Sequence, residues 1–314
     1  MSRILDGRGA AKQIRAEIAS EVAAMRAAGI EPPCLAAVLV GDNPASSIYV
    51  SNKVKACTQA GIIPREIRLP STTTQMELLA LVRELSRSGD VDGILVQMPL
   101  PAGIDPRAII AAIDPARDVD GFHPINVGRL WSGEEGLVPC TPLGILEMLD
   151  SAEIEIEGAE AVIIGRSDIV GKPTAALLLR KHATVTLCHS RTRDLAGVAA
   201  RADILVAAIG RAAFVTRDFI KPGATVIDVG INQVVDVAVA RGLFGDEPGR
   251  LEEVRTKGYT LVGDVHPRDA AERSGAWTPV PGGVGPLTVA LLLRNTVKAA
   301  KARRGSPGRR GPGA

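Results

Sequence analysis

Short apolar runs alternate with amphipathic segments along the chain, which predicts strands alternating with helices. Apolar residues repeat every three or four positions from Ile14 to Met25, which predicts a first helix that ends at Gly29. The apolar run Cys34–Val40 predicts a buried strand, and Asn43 before Pro44 provides a cap and a first-turn proline for the next helix. The alternation continues with strands at 65–69 and 93–97 and with helices at 74–85 and 105–113. This order predicts parallel strands flanked by helices.

A glycine- and proline-rich crossing at 118–139 separates this alternation from a second one and marks a domain boundary. The second alternation comprises a linking helix at 141–149, strands at 161–165, 184–188, 204–209, 225–231 and 260–265, helices at 170–181 and 195–200, and an irregular stretch between 231 and 260. The pattern predicts two α/β domains, 1–122 and 139–283, the second Rossmann-like. We expect a C-terminal helix at 284–302 that returns to the first domain and a disordered tail at 303–314.

Composition narrows the class of protein. Hydrophobic residues make up 46% and charged residues 23% of the chain, which excludes a disordered protein. Aromatic residues are only 3%, which argues against a nucleic-acid module built on base stacking. The net charge is +2, so no overall field attracts nucleic acid or membrane, and we expect neither partner. The basic tail leaves a nucleic-acid contact open, but a solvated terminus is the better interpretation.

Cysteine and histidine spacing indicates neither a disulfide framework nor a metal site. The four cysteines are widely spaced without a CxxC pair, and the four histidines show no ligand spacing. No apolar run approaches the roughly 18 residues of a membrane span, and the N-terminus lacks a signal-peptide pattern. We therefore expect a soluble, cytoplasmic protein without a bound metal.

A strand-to-helix turn at the start of the second domain predicts dinucleotide binding. Gly165 follows the apolar strand and permits a tight turn, and Gly171 lets the next helix approach the sheet. The N-terminus of that helix would face a pyrophosphate. Ser167 stands where the second glycine of the GxGxxG pattern is usual, so the motif alone is weak and gains weight from its position.

The end of the following strand favours NADP over NAD. An NAD site usually places Asp or Glu there to bind the ribose 2′-hydroxyl, whereas this strand ends in His189, Ser190 and Arg191. Ser190 and Arg191, together with Arg166 in the first turn, provide donors and positive charge for a 2′-phosphate. The alternative is that both arginines are solvated loop residues.

Four polar residues of the first domain are candidates for catalysis. Tyr49 and Lys53 lie four apart on one face of a predicted helix, Gln97 ends a strand, and Asp120 lies on the crossing loop. A lysine that works near neutral pH needs partial burial and a neutral partner, which Gln97 can provide. Taken singly, each residue has an ordinary explanation as a packing, solvated, strand-capping or turn residue. Lys55 points away from Lys53 and serves as an exposed control.

A rigid loop rich in glycine and proline, 279–288, leads into the closing helix. Its exposed backbone suits contact with a flat ligand or a phosphate, although a plain helix-entry turn is the alternative.

Together these segments closely resemble the bifunctional methylenetetrahydrofolate dehydrogenase/methenyltetrahydrofolate cyclohydrolase family of the bacterial FolD type. The matching stretches are 4–7, 49–53, 93–101, 118–124, 139–142, 165–173, 188–192 and 281–286, in the family's order. The resemblance implies NADP-dependent oxidation of 5,10-methylene-tetrahydrofolate to the methenyl compound, followed by hydrolysis to 10-formyl-tetrahydrofolate. It also implies a homodimer and a place in one-carbon metabolism that serves purine biosynthesis.

The resemblance assigns roles to individual residues. Lys53 activates water in the cyclohydrolase step, Gln97 holds Lys53, Tyr49 stacks on the folate and Asp120 hydrogen-bonds the pterin. The implied substrate-binding residues are Tyr49, Lys53, Val96, Gln97, Met98, Asp120, Pro281, Gly282, Gly283, Val284, Gly285 and Pro286. The implied cofactor-binding residues are Gly165, Arg166, Ser167, Ser190 and Ile231.

Three departures accompany the resemblance. Met98 replaces a usual leucine, which nearly conserves volume. His266 stands where an acid is usual, and the segment 232–258 is longer than is common. Two alternatives stay open: a family member that keeps only one activity, and a non-catalytic protein that binds a nucleotide or folate.

Overall fold

The structure, a computed structural model, describes residues 2–305 and contains two compact α/β units. One, the six-stranded unit, comprises the chain up to Ala11 together with Thr141–Thr288. The other, the three-stranded unit, comprises Lys12–Cys140 and the chain from Val289 onward. Of the predicted tail, 303–305 continue the last helix, and 306–314 lie outside the described residues.

The elements follow one another as strands and helices in nearly regular alternation. The strands are β1 (Arg3–Ile4), β2 (Cys34–Val40), β3 (Ile63–Leu69), β4 (Gly93–Val96), β5 (Glu160–Ile164), β6 (Thr184–Cys188), β7 (Ile204–Ala207), β8 (Thr225–Asp228), β9 (Asn232–Val234), β10 (Thr260–Val262) and β11 (Ala276–Trp277). The helices are α1 (Gly7–Ala27), α2 (Pro44–Gln59), α3 (Gln75–Arg87), α4 (Pro106–Ala112), α5 (Pro124–Ser132), α6 (Cys140–Ser151), α7 (Gly171–Arg180), α8 (Leu195–Ala199), α9 (Val237–Phe244), α10 (Pro248–Lys257), α11 (Pro267–Arg273) and α12 (Gly285–Gly305).

The three-stranded unit is built on a parallel sheet with the order β3-β2-β4. The central strand β2 is buried along its whole length, as its continuous apolar sequence predicts. One face packs against α3 and α4 through a core that includes Val38, Val82, Ile94 and Ile109. The Asn43 side chain accepts a hydrogen bond from the Ser46 amide at 3.1 Å and starts α2. The carboxyl ends of β2 and β4 therefore stand beside the helix that carries Lys53.

The six-stranded unit holds a parallel sheet with the order β1-β11-β8-β7-β5-β6. Its central strands β5, β7 and β8 are almost entirely buried, and their apolar side chains form one continuous core with α8 and α11. The two-domain α/β prediction and the Rossmann-like order of the second sheet are confirmed.

The stretch between 231 and 260 corrects the prediction of irregular structure. It contains β9, α9 and α10, with a small core of its own around Ala240, Leu251 and Val254. Asp236 caps α9 by accepting from two backbone amides, and Pro248 starts α10. The strand predicted at 260–265 is present as β10 over Thr260–Val262, and it pairs antiparallel with β9 in a separate two-stranded sheet. Apolar positions three apart in both helices carried this pattern, but the abundance of glycine and charge obscured it.

Four further elements were not predicted, namely β1, α5, α11 and β11. Residues 3–4 form an edge strand of the large sheet, and α5 forms inside the glycine- and proline-rich crossing. The strands β1 and β11 have two residues each, which is too short for a period to show in the sequence. Within residues 2–305, no helix has the length and apolar character needed to cross a membrane.

Candidate active site and cofactor-binding edge

Lys53 and Gln97 form a direct hydrogen bond in the three-stranded unit. The Lys53 Nζ donates to Gln97 Oε1 at 3.0 Å, and both side chains are half-buried. The Gln97 Nε2 donates to the Met98 carbonyl oxygen at 2.7 Å, which orients the amide so that its oxygen faces the ammonium group. The Gln97 backbone amide continues the sheet pairing by donating to Val38 O at 2.8 Å. Lys53 is therefore held by a neutral acceptor that is itself anchored to the sheet.

The neighbouring predicted residues differ in exposure. Tyr49 lies one turn before Lys53 on α2 and is 51% exposed, so its ring is available to a ligand. Val96 is buried at the end of β4, and Met98 after it is half-buried. Lys55 is exposed, as expected for a control position.

Asp120 belongs to the same electrostatic group as Lys53. Burial raises the pKa of the Asp120 carboxyl to about 6, while Lys53 lowers it and Asp118 raises it further. Asp118 is buried and supports the loop, since it accepts from the His123 amide at 2.7 Å and from Asn126 Nδ2 at 3.0 Å. Asp118 thereby shapes the loop that carries Asp120.

Two residues beside Asp120 were not singled out from the sequence. Asn295 on α12 donates to the carbonyl oxygens of Val119 at 2.8 Å and Val138 at 2.9 Å, which fixes the backbone next to Asp120. Cys140 lies against the same loop, and burial, reinforced by the Asp120 charge, raises the pKa of its thiol far above the usual range. Cys140 is therefore an inert thiol that fills space. No local sequence pattern links these positions, since they lie 155 residues apart.

The glycine turn in the six-stranded unit has the geometry of a dinucleotide cradle. Gly165 has φ +126°, and a Cβ there would overlap the Ala208 carbonyl oxygen. A Cβ on Gly171 would overlap the Gly165 carbonyl oxygen, so α7 starts in direct contact with the turn. The Ser167 Oγ accepts from the Val170 and Gly171 amides at 3.2 and 3.3 Å, which caps the start of the helix.

A cavity of about 320 Å³ opens at the carboxyl ends of β5, β6 and β7. Of the predicted cofactor residues, Gly165, Arg166 and Ser190 line it. The residues that line the cavity all belong to the described part of the chain, and none of them is an Asp or Glu. These donors and this charge fit a dinucleotide that carries a 2′-phosphate.

The other predicted cofactor residues lie outside that cavity. Arg191 is exposed, and its backbone amide donates to His189 Nδ1 at 3.1 Å. Ser167 serves the helix start, and Ile231 is 53% exposed after β8. The sequence placed these residues correctly at strand ends but could not tell which of them share one cavity.

The loop 281–286 packs its backbone against the start of α1. A Cβ on Gly7 would overlap the Gly283 carbonyl oxygen, and Gly282 has φ +116°. Arg250 of the long segment donates to the Val280 carbonyl oxygen at 2.8 Å. The long segment therefore supports the entrance of this loop.

A pair of buried carboxylates, which was not predicted from the sequence, organises the strand ends. Asp264 accepts from the Ile209 and Gly210 amides at 2.6 and 2.9 Å and from the Arg211 amide at 2.8 Å. Asp228 accepts from the amides that follow Gly263 at 2.8 and 2.9 Å, and burial raises the pKa of its carboxyl to about 7. In the sequence, the only indication of this pair was that Asp228 lies in an apolar segment and that Asp264 directly follows a glycine.

Comparison with known proteins assigns both units. The model of the tetrahydrofolate dehydrogenase/cyclohydrolase catalytic domain matches residues 5–120, and that of its NAD(P)-binding domain matches 139–304. The bifunctional protein FolD of Koribacter versatilis is 55% identical over 306 residues, 98% of this chain and 99% of that protein.

Solved structures agree. A bifunctional FolD methylenetetrahydrofolate dehydrogenase/cyclohydrolase from Campylobacter jejuni has a TM-score of 0.87 at 44% identity, covering 96% of this chain and 100% of that one. A Trypanosoma brucei methylenetetrahydrofolate dehydrogenase-cyclohydrolase, solved with NADP cofactor and an inhibitor, has a TM-score of 0.86 at 38% identity, covering 96% and 98%.

Proposed function

Because the chain belongs to the tetrahydrofolate dehydrogenase/cyclohydrolase family, we propose how its own residues carry out the two reactions of that family. The chain is a bifunctional enzyme. It oxidises 5,10-methylene-tetrahydrofolate with NADP⁺ and hydrolyses the resulting methenyl compound to 10-formyl-tetrahydrofolate. NADP⁺, when bound, supplies the acceptor for the hydride.

The hydrogen bond from Lys53 to Gln97 is the observation that carries the residue assignments. The Lys53 side-chain nitrogen uses one hydrogen-bonding position for Gln97, so its other positions remain available to a water molecule. We assign Lys53, in its neutral amine form, to orient that water beside the methenyl carbon and to take up the proton that the water loses on addition. Opening of the bond between that carbon and the ring nitrogen then yields the formyl product. Gln97 is the positioning residue for Lys53.

Asp120 and Tyr49 hold the folate in this proposal. With a pKa of about 6, Asp120 is present in both protonation states near neutral pH, so it can donate to or accept from a pterin nitrogen. The exposed ring of Tyr49 provides a flat apolar surface for stacking. Val96, Met98 and the loop 281–286 remain proposed substrate contacts. Ser167, Arg191 and Ile231 remain proposed cofactor contacts.

The hydride step relies on orientation more than on acid–base groups, and the six-stranded unit provides it. Gly165 and Gly171 let the backbone approach the pyrophosphate, while Arg166 and Ser190 supply donors for the 2′-phosphate. The absence of an acid among the lining residues of this described cavity supports NADP over NAD.

We further propose a cytoplasmic homodimer that supplies one-carbon units for purine biosynthesis. The four cysteines are unpaired and buried, which supports a reducing compartment. Light scattering on the purified protein measures the mass, and a monomer at working concentrations would contradict the dimer. No nucleic-acid partner is proposed, in keeping with the net charge of +2.

Turnover of the purified protein with methylene-tetrahydrofolate tests the function. NADP⁺ is compared with NAD⁺ while NADPH and the methenyl compound are followed separately. We expect NADPH to form without a build-up of the methenyl compound. Accumulating methenyl compound would contradict the cyclohydrolase activity, and no reduction of either cofactor would contradict the dehydrogenase.

A further inference from the structure

A third arginine lines the cavity at the carboxyl ends of β5, β6 and β7. Arg211 follows β7 and shares the cavity of about 320 Å³ with Arg166 and Ser190. Arg191, which the strand-end pattern had favoured, does not line that cavity. Two cations therefore line this cavity together with Ser190, namely Arg166 after β5 and Arg211 after β7.

The turn that carries Arg211 is fixed at its backbone. The amides of Ile209, Gly210 and Arg211 all donate to the buried carboxylate of Asp264, at 2.6, 2.9 and 2.8 Å. Asp264 is itself fully buried, and Asn232 Nδ2 donates to it at 3.0 Å. A backbone tied at three successive amides presents its side chain from a defined position.

The Arg211 side chain is held by an aromatic ring and leaves its donors available. Its Cζ lies 4.0 Å from the centroid of the Phe214 ring, and Phe214 in turn packs edge-on against Phe219 at 5.6 Å between centroids. A guanidinium that stacks on a ring uses its flat face, so the N–H groups in its plane stay free to donate. Among residues 2–305, no carboxylate forms an ion pair with Arg211.

These observations define a site for a doubly charged anion. A phosphate monoester carries about −1.5 to −2 charges near neutral pH and has three acceptor oxygens. One arginine, Arg166, neutralises only part of that charge. A second guanidinium, stacked and without a carboxylate partner, completes the charge balance together with the Ser190 hydroxyl.

We propose that Arg211 binds the ribose 2′-phosphate of the cofactor and is a specificity-determining residue for NADP over NAD. The proposal rests on the proposed function, since it concerns the cofactor of that reaction. It assigns the 2′-phosphate to Arg166, Ser190 and Arg211, with Asp264 as the positioning residue for Arg211.

Steady-state kinetics of Arg211→Ala and Arg211→Lys test the proposal, with Arg217→Ala as the matched control. Arg217 is an exposed arginine six residues further along the chain that does not line the cavity. For Arg211→Ala we expect KM for NADP⁺ to rise roughly 10- to 100-fold, because a charge-assisted contact is lost. We expect KM for NAD⁺ to change less than about twofold and kcat to stay within about twofold. Arg211→Lys should recover part of the loss, and Arg217→Ala should match the wild type.

Binding of 2′,5′-ADP and 5′-AMP, measured by calorimetry, gives a readout independent of turnover. Only 2′,5′-ADP carries the 2′-phosphate, so Arg211→Ala should weaken it about tenfold or more and leave 5′-AMP unchanged. Equal weakening of both ligands would overturn the proposal and assign Arg211 to adenine stacking or loop integrity. No weakening of either would overturn it in favour of Arg191. A wild-type enzyme that binds 2′,5′-ADP but reduces no cofactor would contradict the proposed function alone. Thermal unfolding confirms that each variant is folded.

Discussion

Asp120→Asn is expected to make the protein more stable above pH 6 while weakening folate binding. Burial raises the pKa of the Asp120 carboxyl from its ordinary 3.8 to about 6, so ionising this group in the folded protein costs free energy. A shift of about two units corresponds to roughly 3 kcal/mol. An asparagine has the same shape and carries no charge, so the variant escapes that cost.

The sign follows from proton binding. Between pH 3.8 and about 6 the folded protein holds the Asp120 proton more tightly than the unfolded chain does. The free energy of unfolding of the wild type therefore falls as pH rises through this window and levels off above it. Relative to wild type, the variant should gain about 0.5 kcal/mol at pH 4 and about 3 kcal/mol at pH 7 from this group.

Thermal unfolding of both proteins at pH 4, 5, 6 and 7 measures the effect. For a unit of this size, about 3 kcal/mol corresponds to a Tm difference of roughly 6–12 °C at pH 7. Asp42→Asn, a change at an exposed position, is the matched control and should show no such trend. A Tm difference between Asp120→Asn and wild type that is the same at every pH would refute the assignment of a raised pKa. The same variant should show a higher KM for folate substrates in both reactions.

Three further predictions concern other parts of the molecule. Lys53→Met should lower the cyclohydrolase rate by at least about 100-fold, because the group that takes up the proton is lost. The rate is measured as the disappearance of the methenyl compound. Lys55→Met should keep the rate within about twofold of the wild type, and equal losses in the two variants would contradict the role of Lys53. Asp92→Ala should lower the free energy of unfolding by about 3–5 kcal/mol in a denaturant titration. The reason is that this fully buried carboxylate pairs with two arginine side chains of α12, among them Arg303 at 2.8 Å. A loss below about 1 kcal/mol would show that the ion pairs contribute little. Gly165→Ala should abolish NADP⁺ reduction, because the added Cβ overlaps a backbone carbonyl oxygen, and unchanged reduction would contradict the cradle geometry.

The helices and strands that could be predicted are those whose apolar pattern or capping residues lie within one short stretch of sequence. Strand β2 is apolar along its length, and α2 starts at an asparagine followed by proline, so both were expected where they occur. The glycine turn was also expected, because its backbone permits what few other residues allow. By contrast, α9 and α10 were missed, since they have only eight and ten residues and the segment that surrounds them is rich in glycine and charge.

The residues of the candidate site could likewise be predicted one by one, but the contacts between them could not. Lys53 and Gln97 were each expected at positions that face ligands, and the resemblance to a family joined them. Their 3.0 Å contact spans 44 residues of sequence, and no periodicity reports it. The same holds for Arg211, which shares a cavity with Ser190 because β5, β6 and β7 occupy neighbouring positions in the sheet.

The sequence by itself determined most of the alternation of helices and strands, the division into two α/β domains and the residue types available for chemistry, because these depend on short-range periodicity, capping and backbone freedom. The tertiary structure alone decided which strand ends share a cavity, which carboxyl is buried enough to titrate near neutral pH, and which arginines share a cavity with Ser190. Strand order and burial depend on contacts between distant segments, such as the hydrogen bonds that Asp264 accepts from amides 53 to 55 residues away. Such contacts leave no local pattern in the chain, and they set the geometry on which the chemistry depends.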